Sequence, residues 1–290
     1  MPGSLCEPVG PVLCSVVADA MERAELPDGS GGGDALVERW VRAAQADPGS
    51  TGFILDFDGT LSAIAPTPAT ARALPGVAPL LEALARRYRM VAILSGRRAE
   101  DVYGLIPVPS VRYVGLYGAE ELEAGRLTER PPAAGPAGTA GALAAEAEEL
   151  LRAEGLAGCE VEDKGLSVAL HFRRAVSPEA GARLTEWAAR RARDAGFQVR
   201  PGRMVVELTP PGPTKADAVE RLIGEGLRLA VLAGDDLSDA GSLRRAGELL
   251  GPGALRIGVR SPEGPPELAE VADVMVRGPE GAVALLSRFT

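Results

Sequence analysis

Apolar residues run without a break at three places in this chain: Phe53-Ile-Leu55, Met90-Val-Ala-Ile-Leu94 and Leu229-Ala-Val-Leu-Ala233. Short runs of this kind predict strands buried on both faces. Helical periodicity lies between and beyond them. Residues 77–88 carry Leu80, Leu81 and Leu84 on one side, Thr214-Lys215 opens another helix, and 279–288 closes the chain with a third. Such alternation predicts an α/β fold with a parallel sheet. Ile257-Gly-Val259 and Val274-Met-Val276 read as its last strands, and 112–122 as a strand leading into a hairpin that turns at Glu123-Ala-Gly-Arg126.

The pattern changes at 131–141, which is rich in proline, glycine and alanine and reads as a linker. Beyond it come an acidic helical stretch at 142–154, strands near 159–161 and 167–173, a helix over 178–195, and strands near 197–199 and 204–208. This mixture between two halves of the parallel-sheet pattern predicts an inserted domain. The expected boundaries are an N-terminal extension over 1–49, a core over 50–130 and 209–290, and a cap over 131–208. The extension carries helical periodicity at 36–44 and a flexible glycine-rich break at 29–33, and no evident chemistry.

At 290 residues the chain suits one large or two modest domains, and 46% hydrophobic with 24% charged residues fits a soluble globular protein. Aromatic residues are only 4%, so the core must be built from Leu, Val and Ala. The formal net charge of −9 argues against nucleic acid as a partner. No apolar run is long enough to span a membrane. Glu7 stands where a signal peptide would need a basic region. Cys6, Cys14 and Cys159 have neither metal-ligand spacing nor an even count, which predicts free thiols and a cytoplasmic protein. A monomer acting on a small molecule is the expectation.

The candidate chemistry begins where the first strand ends, in Asp56-Phe-Asp58-Gly59-Thr60. Residues two apart on an extended backbone point to the same side, so Asp56 and Asp58 would share a site at the carboxyl end of a buried strand. Paired carboxylates there suit a nucleophile and an acid/base beside a hard metal ion. The bland alternative is a strand-end turn. The second strand ends in Ser95-Gly96-Arg97, where the hydroxyl is placed for a phosphoryl oxygen or, less interestingly, for a helix N-cap. The third ends in Gly234-Asp235-Asp236-Leu-Ser-Asp239. Asp56, Asp58, Asp235, Asp236 and Asp239 together would repel strongly unless balanced. A divalent cation, for which magnesium is the natural choice, and Lys215 are the candidate countercharges.

The Asp56–Thr60 motif resembles the first motif of the haloacid dehalogenase superfamily of phosphohydrolases. An insertion between Ser95 and Lys215 looks like that superfamily's type-two cap. Gly115-Leu-Tyr-Gly118-Ala-Glu120, the segment Glu162-Asp-Lys164 through His171-Phe-Arg173, Met204-Val-Val-Glu207-Leu and Gly234–Asp239 resemble the trehalose-6-phosphate phosphatase family, from about residue 50 to the end. The resemblance implies a Rossmann-like parallel-sheet core with an α+β cap. It implies that Asp56 attacks phosphorus, that Asp58 serves as acid and then base, and that Ser95 and Lys215 hold phosphate oxygens. Magnesium would be held by Asp56, the backbone carbonyl of Asp58, and Asp235, with Asp236 supporting and Asp239 more remote. Glu120, Glu162 and Lys164 would bind the sugar, with Gly96, Arg97 and Glu207 as further substrate-binding positions. On composition alone Glu162 and Lys164 read as an exposed ion pair, and His171 as a structural residue.

Tyr117 replaces the family's histidine, Thr209 stands where arginine is frequent, and Ala216 replaces glycine. Those departures leave room for a related pseudo-disaccharide phosphate such as validoxylamine A 7′-phosphate, or for another sugar phosphate such as those of sucrose or mannosylglycerate. A non-catalytic sugar-phosphate sensor is the contrasting class. Sensors often lose the nucleophile or the acid, and both aspartates stand here.

Overall fold

The computed structural model describes residues 32–290 apart from 66, 68, 69, 131–137, 203, 262 and 263. Cys6, Cys14, most of the N-terminal glycine-rich break and most of the 131–141 linker lie outside the described residues. In chain order the strands are β1 (Thr51–Leu55), β2 (Met90–Leu94), β3 (Arg112–Gly115), β4 (Glu120–Glu123), β5 (Arg126–Glu129), β6 (Glu160–Asp163), β7 (Val168–His171), β8 (Gln198–Gly202), β9 (Val205–Thr209), β10 (Leu229–Gly234), β11 (Ala254–Arg260) and β12 (Val274–Arg277).

Eight of them form one sheet in the order β12-β11-β10-β1-β2-β3-β4-β5. The strands from β12 to β3 run parallel, and β4 and β5 add an antiparallel hairpin at one edge. Alternate residues of the central strands enter opposite cores, as the pleat requires. Phe53, Leu55, Val91, Ile93 and Val231 point to one side, and Ile54, Ala92, Leu94, Ala230 and Leu232 to the other. This two-sided burial is why the sequence shows unbroken apolar runs here.

The helix Gly32–Ala46 belongs to the first of these cores through Val37, Trp40, Val41 and Ala44. Part of the segment read as an appendage is therefore a wall of the main core. Arg288, near the far end of the chain, pins it by donating to Asp34 at 2.8 Å. The periodicity of 36–44 shows an apolar face, but its partner lies some 250 residues away and leaves no local trace. A helix at Leu237–Leu250 also forms where no element was expected. Its polar first turn and two internal glycines, Gly241 and Gly247, blur the apolar stripe.

The remaining four strands form a second, antiparallel sheet in the order β6-β7-β9-β8. One face packs Val168, Leu170, Val206 and Leu208 against Leu143 and Ala147 of helix Thr139–Ala153 and Leu184 and Trp187 of helix Ala180–Ala195. The register sets a row across the sheet, with Glu162 opposite Ala169, Ala169 opposite Glu207, and Glu207 opposite Arg200. These side chains share the face turned away from the helices, so this sheet is greasy on one side and charged on the other.

Candidate active site

A cavity of about 370 Å³ lies between the carboxyl ends of β1, β2 and β10 and the charged face of the second sheet. Its core-side lining includes Asp56, Asp58, Ser95, Gly96, Arg97, Lys215, Asp235 and Asp236, and its other wall includes Glu162, Lys164, His171, Arg200 and Glu207. Residues drawn from four distant parts of the chain thus meet at one place, where open α/β sheets put their ligands.

Asp56 follows β1 directly and is held there by its backbone N–H, which donates to the Ala233 carbonyl at 2.9 Å. Lys215 reaches it from the first turn of helix Lys215–Gly224, which Thr214 and Asp217 start with a reciprocal capping box. Lys215 Nζ donates to Asp56 Oδ1 at 2.6 Å and to Asp239 Oδ1 at 2.8 Å, and the ammonium is only 3% exposed. Burial raises the Asp56 carboxyl to about 7, and the charges of Asp235 and Asp236 push the same way against the pull of Lys215. Burial, with Asp236 and Asp56, likewise lifts Asp239 well above the carboxylate range. Lys215 is held well above its ordinary value, because the carboxylates of Asp239 and Asp56 outweigh the burial that opposes its charge.

Carboxylate oxygens of Asp56, Asp235 and Asp239, all buried, lie within 4.8 Å of one another. Asp56 Oδ2 is buried without a hydrogen-bond partner, an arrangement that is costly unless a cation completes it. Gly59, at φ +88°, keeps the cluster open: a Cβ there would sit 1.9 Å from Asp235 Oδ2. An all-oxygen set of this kind suits magnesium. Asp236 is not in this group. Its Oδ1 accepts from the Asp239 N–H at 2.9 Å and from the Ser238 hydroxyl at 2.7 Å, capping helix Leu237–Leu250. Burial opposes its charge, but Lys215 and these donors outweigh that and keep the carboxyl low.

Asp58 turns to Arg97, which forks onto it with Nε–Oδ2 at 2.6 Å and Nη2–Oδ1 at 2.8 Å. Ser95 is buried, and its hydroxyl accepts from the Arg97 N–H at 3.1 Å. Helix Ala99–Leu105 begins later, with Arg98 at its N-cap, so Ser95 is not a helix cap.

On the opposite wall, Lys164 Nζ donates to Glu207 Oε1 and to the backbone carbonyl of Gly96, both at 3.2 Å. Ser167 donates to Glu207 Oε1 at 2.6 Å, and the Tyr117 phenol to Glu207 Oε2 at 2.8 Å. The exposed Glu162–Lys164 pair that composition suggests does not form: Lys164, largely withdrawn from solvent, pairs with the buried Glu207 instead. Glu162 pairs with His171 Nε2 at 2.8 Å. Burial works against the Glu162 charge, yet His171, Lys164 and Arg97 together hold its carboxyl low. His171 stands in the cavity wall, although its strand pattern suggested a purely structural place.

Glu120 requires a correction. It was expected at the sugar, but it does not line the cavity. It is 2% exposed and faces the start of helix Ala99–Leu105. Its Oε2 accepts from the Ala99 N–H at 3.1 Å and its Oε1 from Arg98 at 3.2 Å. A carboxylate at a helix N-terminus is favourable in its own right, and that contact is non-local. Arg200 escaped the sequence reading altogether, since one arginine in a short exposed strand has no signature. The exposed apolar side chains at the cavity mouth, Ile64, Met204 and Leu237, escaped it as well.

Comparison with known proteins adds four findings. Residues 54–249 match the model of the trehalose-phosphatase family. The chain is 31% identical to a probable trehalose-phosphate phosphatase of Sinorhizobium fredii over 87% of its own length and 95% of that protein's. It is 33% identical to a trehalose-phosphate phosphatase of Mycobacterium avium over 74% of its length, and spans about half, 55%, of that longer protein. Among solved structures, the C-terminal domain of the C. albicans trehalose-6-phosphate phosphatase superposes with a TM-score of 0.72 at 18% identity, covering 90% of this chain and 97% of that one. At that identity the likeness speaks for the fold, a haloacid dehalogenase-type core with a cap.

Proposed function

The chain belongs to the trehalose-phosphatase family and is a phosphatase, and from that premise we propose that it hydrolyses trehalose 6-phosphate with magnesium through an aspartyl-phosphate. The observation that carries this reading is the buried Asp56, ion-paired to Lys215 beside Asp235 and Asp239, in a cavity whose far wall is a row of sugar-competent charges. Charged side chains bind hydroxyls in short, strong hydrogen bonds, which suits a disaccharide. Magnesium at Asp56 and Asp235, with the Asp58 backbone carbonyl, would supply positive charge that offsets the carboxylates as a phosphate dianion approaches.

The remaining work falls to the protein. The Asp56 carboxylate attacks phosphorus, the bond from phosphorus to the sugar oxygen breaks, and that oxygen takes a proton from Asp58. Water then attacks the acyl phosphate and gives a proton back to Asp58, releasing phosphate and restoring Asp56. Lys215 and Ser95 hold phosphoryl oxygens, and the Arg97 fork now on Asp58 is positioned to transfer to the incoming dianion, freeing Asp58 to exchange its proton. Asp239 shares Lys215 with Asp56 and positions it; Asp236 and Glu120 act through the helices they cap. Glu162, Lys164 and Glu207 take the sugar hydroxyls. Most of the acceleration then comes from placement and charge neutralisation. The half-buried free thiol of Cys159 fits a cytoplasmic setting, and no helix among the described residues is long and apolar enough to cross a membrane.

The test is phosphate release from a panel of sugar phosphates, with magnesium and with a chelator. Trehalose 6-phosphate should be turned over fastest, and only with the metal. Preference for a monosaccharide phosphate, or for a pseudo-disaccharide such as validoxylamine A 7′-phosphate, would reassign the substrate. Phosphate release from none of them would leave a sensor.

A further inference from the structure

Tyr117 lies in the short turn Leu116–Gly118 that joins β3 to β4 of the core sheet, but its side chain is engaged by the cap. Its phenol donates to Glu207 Oε2 on β9 at 2.8 Å. The guanidinium carbon of Arg200, on β8, lies 4.5 Å from the centre of its ring. Arg200 also donates to the Pro213 carbonyl at 3.1 Å, where the chain leaves the cap. The backbone that aims this ring is unusual. Leu116 and Tyr117 have φ of 46° and 59°, a region that bulky residues seldom occupy. It is held by the Leu116 N–H donating to the Arg97 carbonyl at 2.8 Å and the Tyr117 N–H donating to the Ser95 carbonyl at 3.1 Å. Gly96 leaves room for the ring, since a Cβ there would come within 2.9 Å of it. The turn that presents Tyr117 to the cap is thus built on the same strand end that carries Ser95 and Arg97. The phosphoryl chemistry uses no atom of Tyr117.

We propose that Tyr117 is a positioning residue that latches the cap sheet onto the catalytic sheet, setting Glu207 and Lys164 over the phosphate-binding strand end. The inference rests on the reading that those two side chains meet the sugar. Glu207 is 4% exposed, and its Oε1 is occupied by Ser167 and Lys164. The Tyr117 hydroxyl satisfies Oε2. Without it, that largely buried charged oxygen loses a donor from the core, and the closed arrangement loses the hydrogen bond that ties β9 to the turn after β3. The stacked Arg200 adds a cation–π attraction across the same boundary. Affinity for a ligand that needs the closed form falls in proportion to the closed population, so the latch acts on KM before it acts on chemistry.

Distance measurement between spin labels tests this without any substrate. Labels are attached at Glu82→Cys, on helix Val77–Arg87, and Arg190→Cys, on helix Ala180–Ala195, in the full chain with Cys6, Cys14 and Cys159 changed to Ser. The parent should give one narrow distance. Tyr117→Phe, which keeps the ring and removes the donor, should add a longer population, and so should Arg200→Gln. In Tyr117→Phe, KM for trehalose 6-phosphate should rise about tenfold, the scale of one hydrogen bond to a charged acceptor, with kcat changed much less. Unchanged distances in both variants overturn the latch. A raised KM with unchanged distances overturns it too, because Tyr117 would then touch the sugar directly. If the parent releases no phosphate from trehalose 6-phosphate, the substrate reading fails while the distances still judge the latch.

Discussion

At the residue scale the site is a problem in charge placement. Lys215 is buried among carboxylates, two of which it bonds, and the far oxygen of Asp56 is left without a donor. Asp56→Asn should reduce phosphate release by roughly 10⁴-fold or more, the scale for removing a covalent nucleophile, while circular dichroism shows an unchanged fold. Survival of appreciable turnover would exclude Asp56 as the nucleophile. The raised Asp56 carboxyl also fixes a pH dependence. Its folded value of about 7 lies above the unfolded 3.8, so between those limits the metal-free native state binds the extra proton and its stability falls as pH rises. A metal ion must displace that proton below about pH 7. Magnesium affinity, measured by titration calorimetry, should therefore weaken by up to about tenfold for each unit of pH below 7. Flat affinity from pH 8 to pH 6 would count against Asp56 as a ligand.

At the element scale, each strand end and helix start delivers one part of the site. The capping box at Thr214 sets Lys215, the N-cap at Asp236 sets Asp239, and Glu120 anchors the helix that follows Ser95-Gly96-Arg97. The charged face of the cap sheet delivers Glu162 and Glu207 in one row. Glu162→Gln should lower kcat/KM for trehalose 6-phosphate by roughly tenfold or more, as expected for losing a charged hydrogen bond, yet barely alter hydrolysis of a small aryl phosphate. Equal losses on both substrates would place Glu162 in the chemistry rather than at the sugar. The helix Gly32–Ala46 has no part in the site but a full part in the core. Trp40→Ala should cost about 3–5 kcal/mol in denaturant unfolding, the usual price of emptying a large aromatic site. A loss below 1 kcal/mol would mean the helix is only loosely attached.

At the scale of the whole molecule, neither sheet is sufficient. The parallel sheet holds the candidate phosphoryl-transfer residues and the second sheet holds the candidate sugar contacts, with Lys164 to Gly96 and Tyr117 to Glu207 bridging them. In hydrogen-exchange mass spectrometry, magnesium alone should protect amides near 56–59 and 234–239. Magnesium with trehalose 6-phosphate should extend protection to 160–171 and 198–209. Protection confined to the core with substrate bound would mean that the cap does not join the complex.

The parallel strands, the aspartates at their ends and Lys215 as their countercharge are legible in the chain before it folds. Those features are local: an unbroken apolar run has one stable environment, and a carboxylate placed after it has one place to go. What each charge faces is set by the packing of the two sheets. Glu120 and Glu207 look equally suited to a sugar in sequence, yet one meets a helix N-terminus and the other a cavity. Tyr117 reads as a departure from a motif until Arg200 and Glu207 are seen around it. The physical reason is that a charged side chain takes its role from its partners, and here those partners come from distant segments that only the packed sheets bring within hydrogen-bond reach.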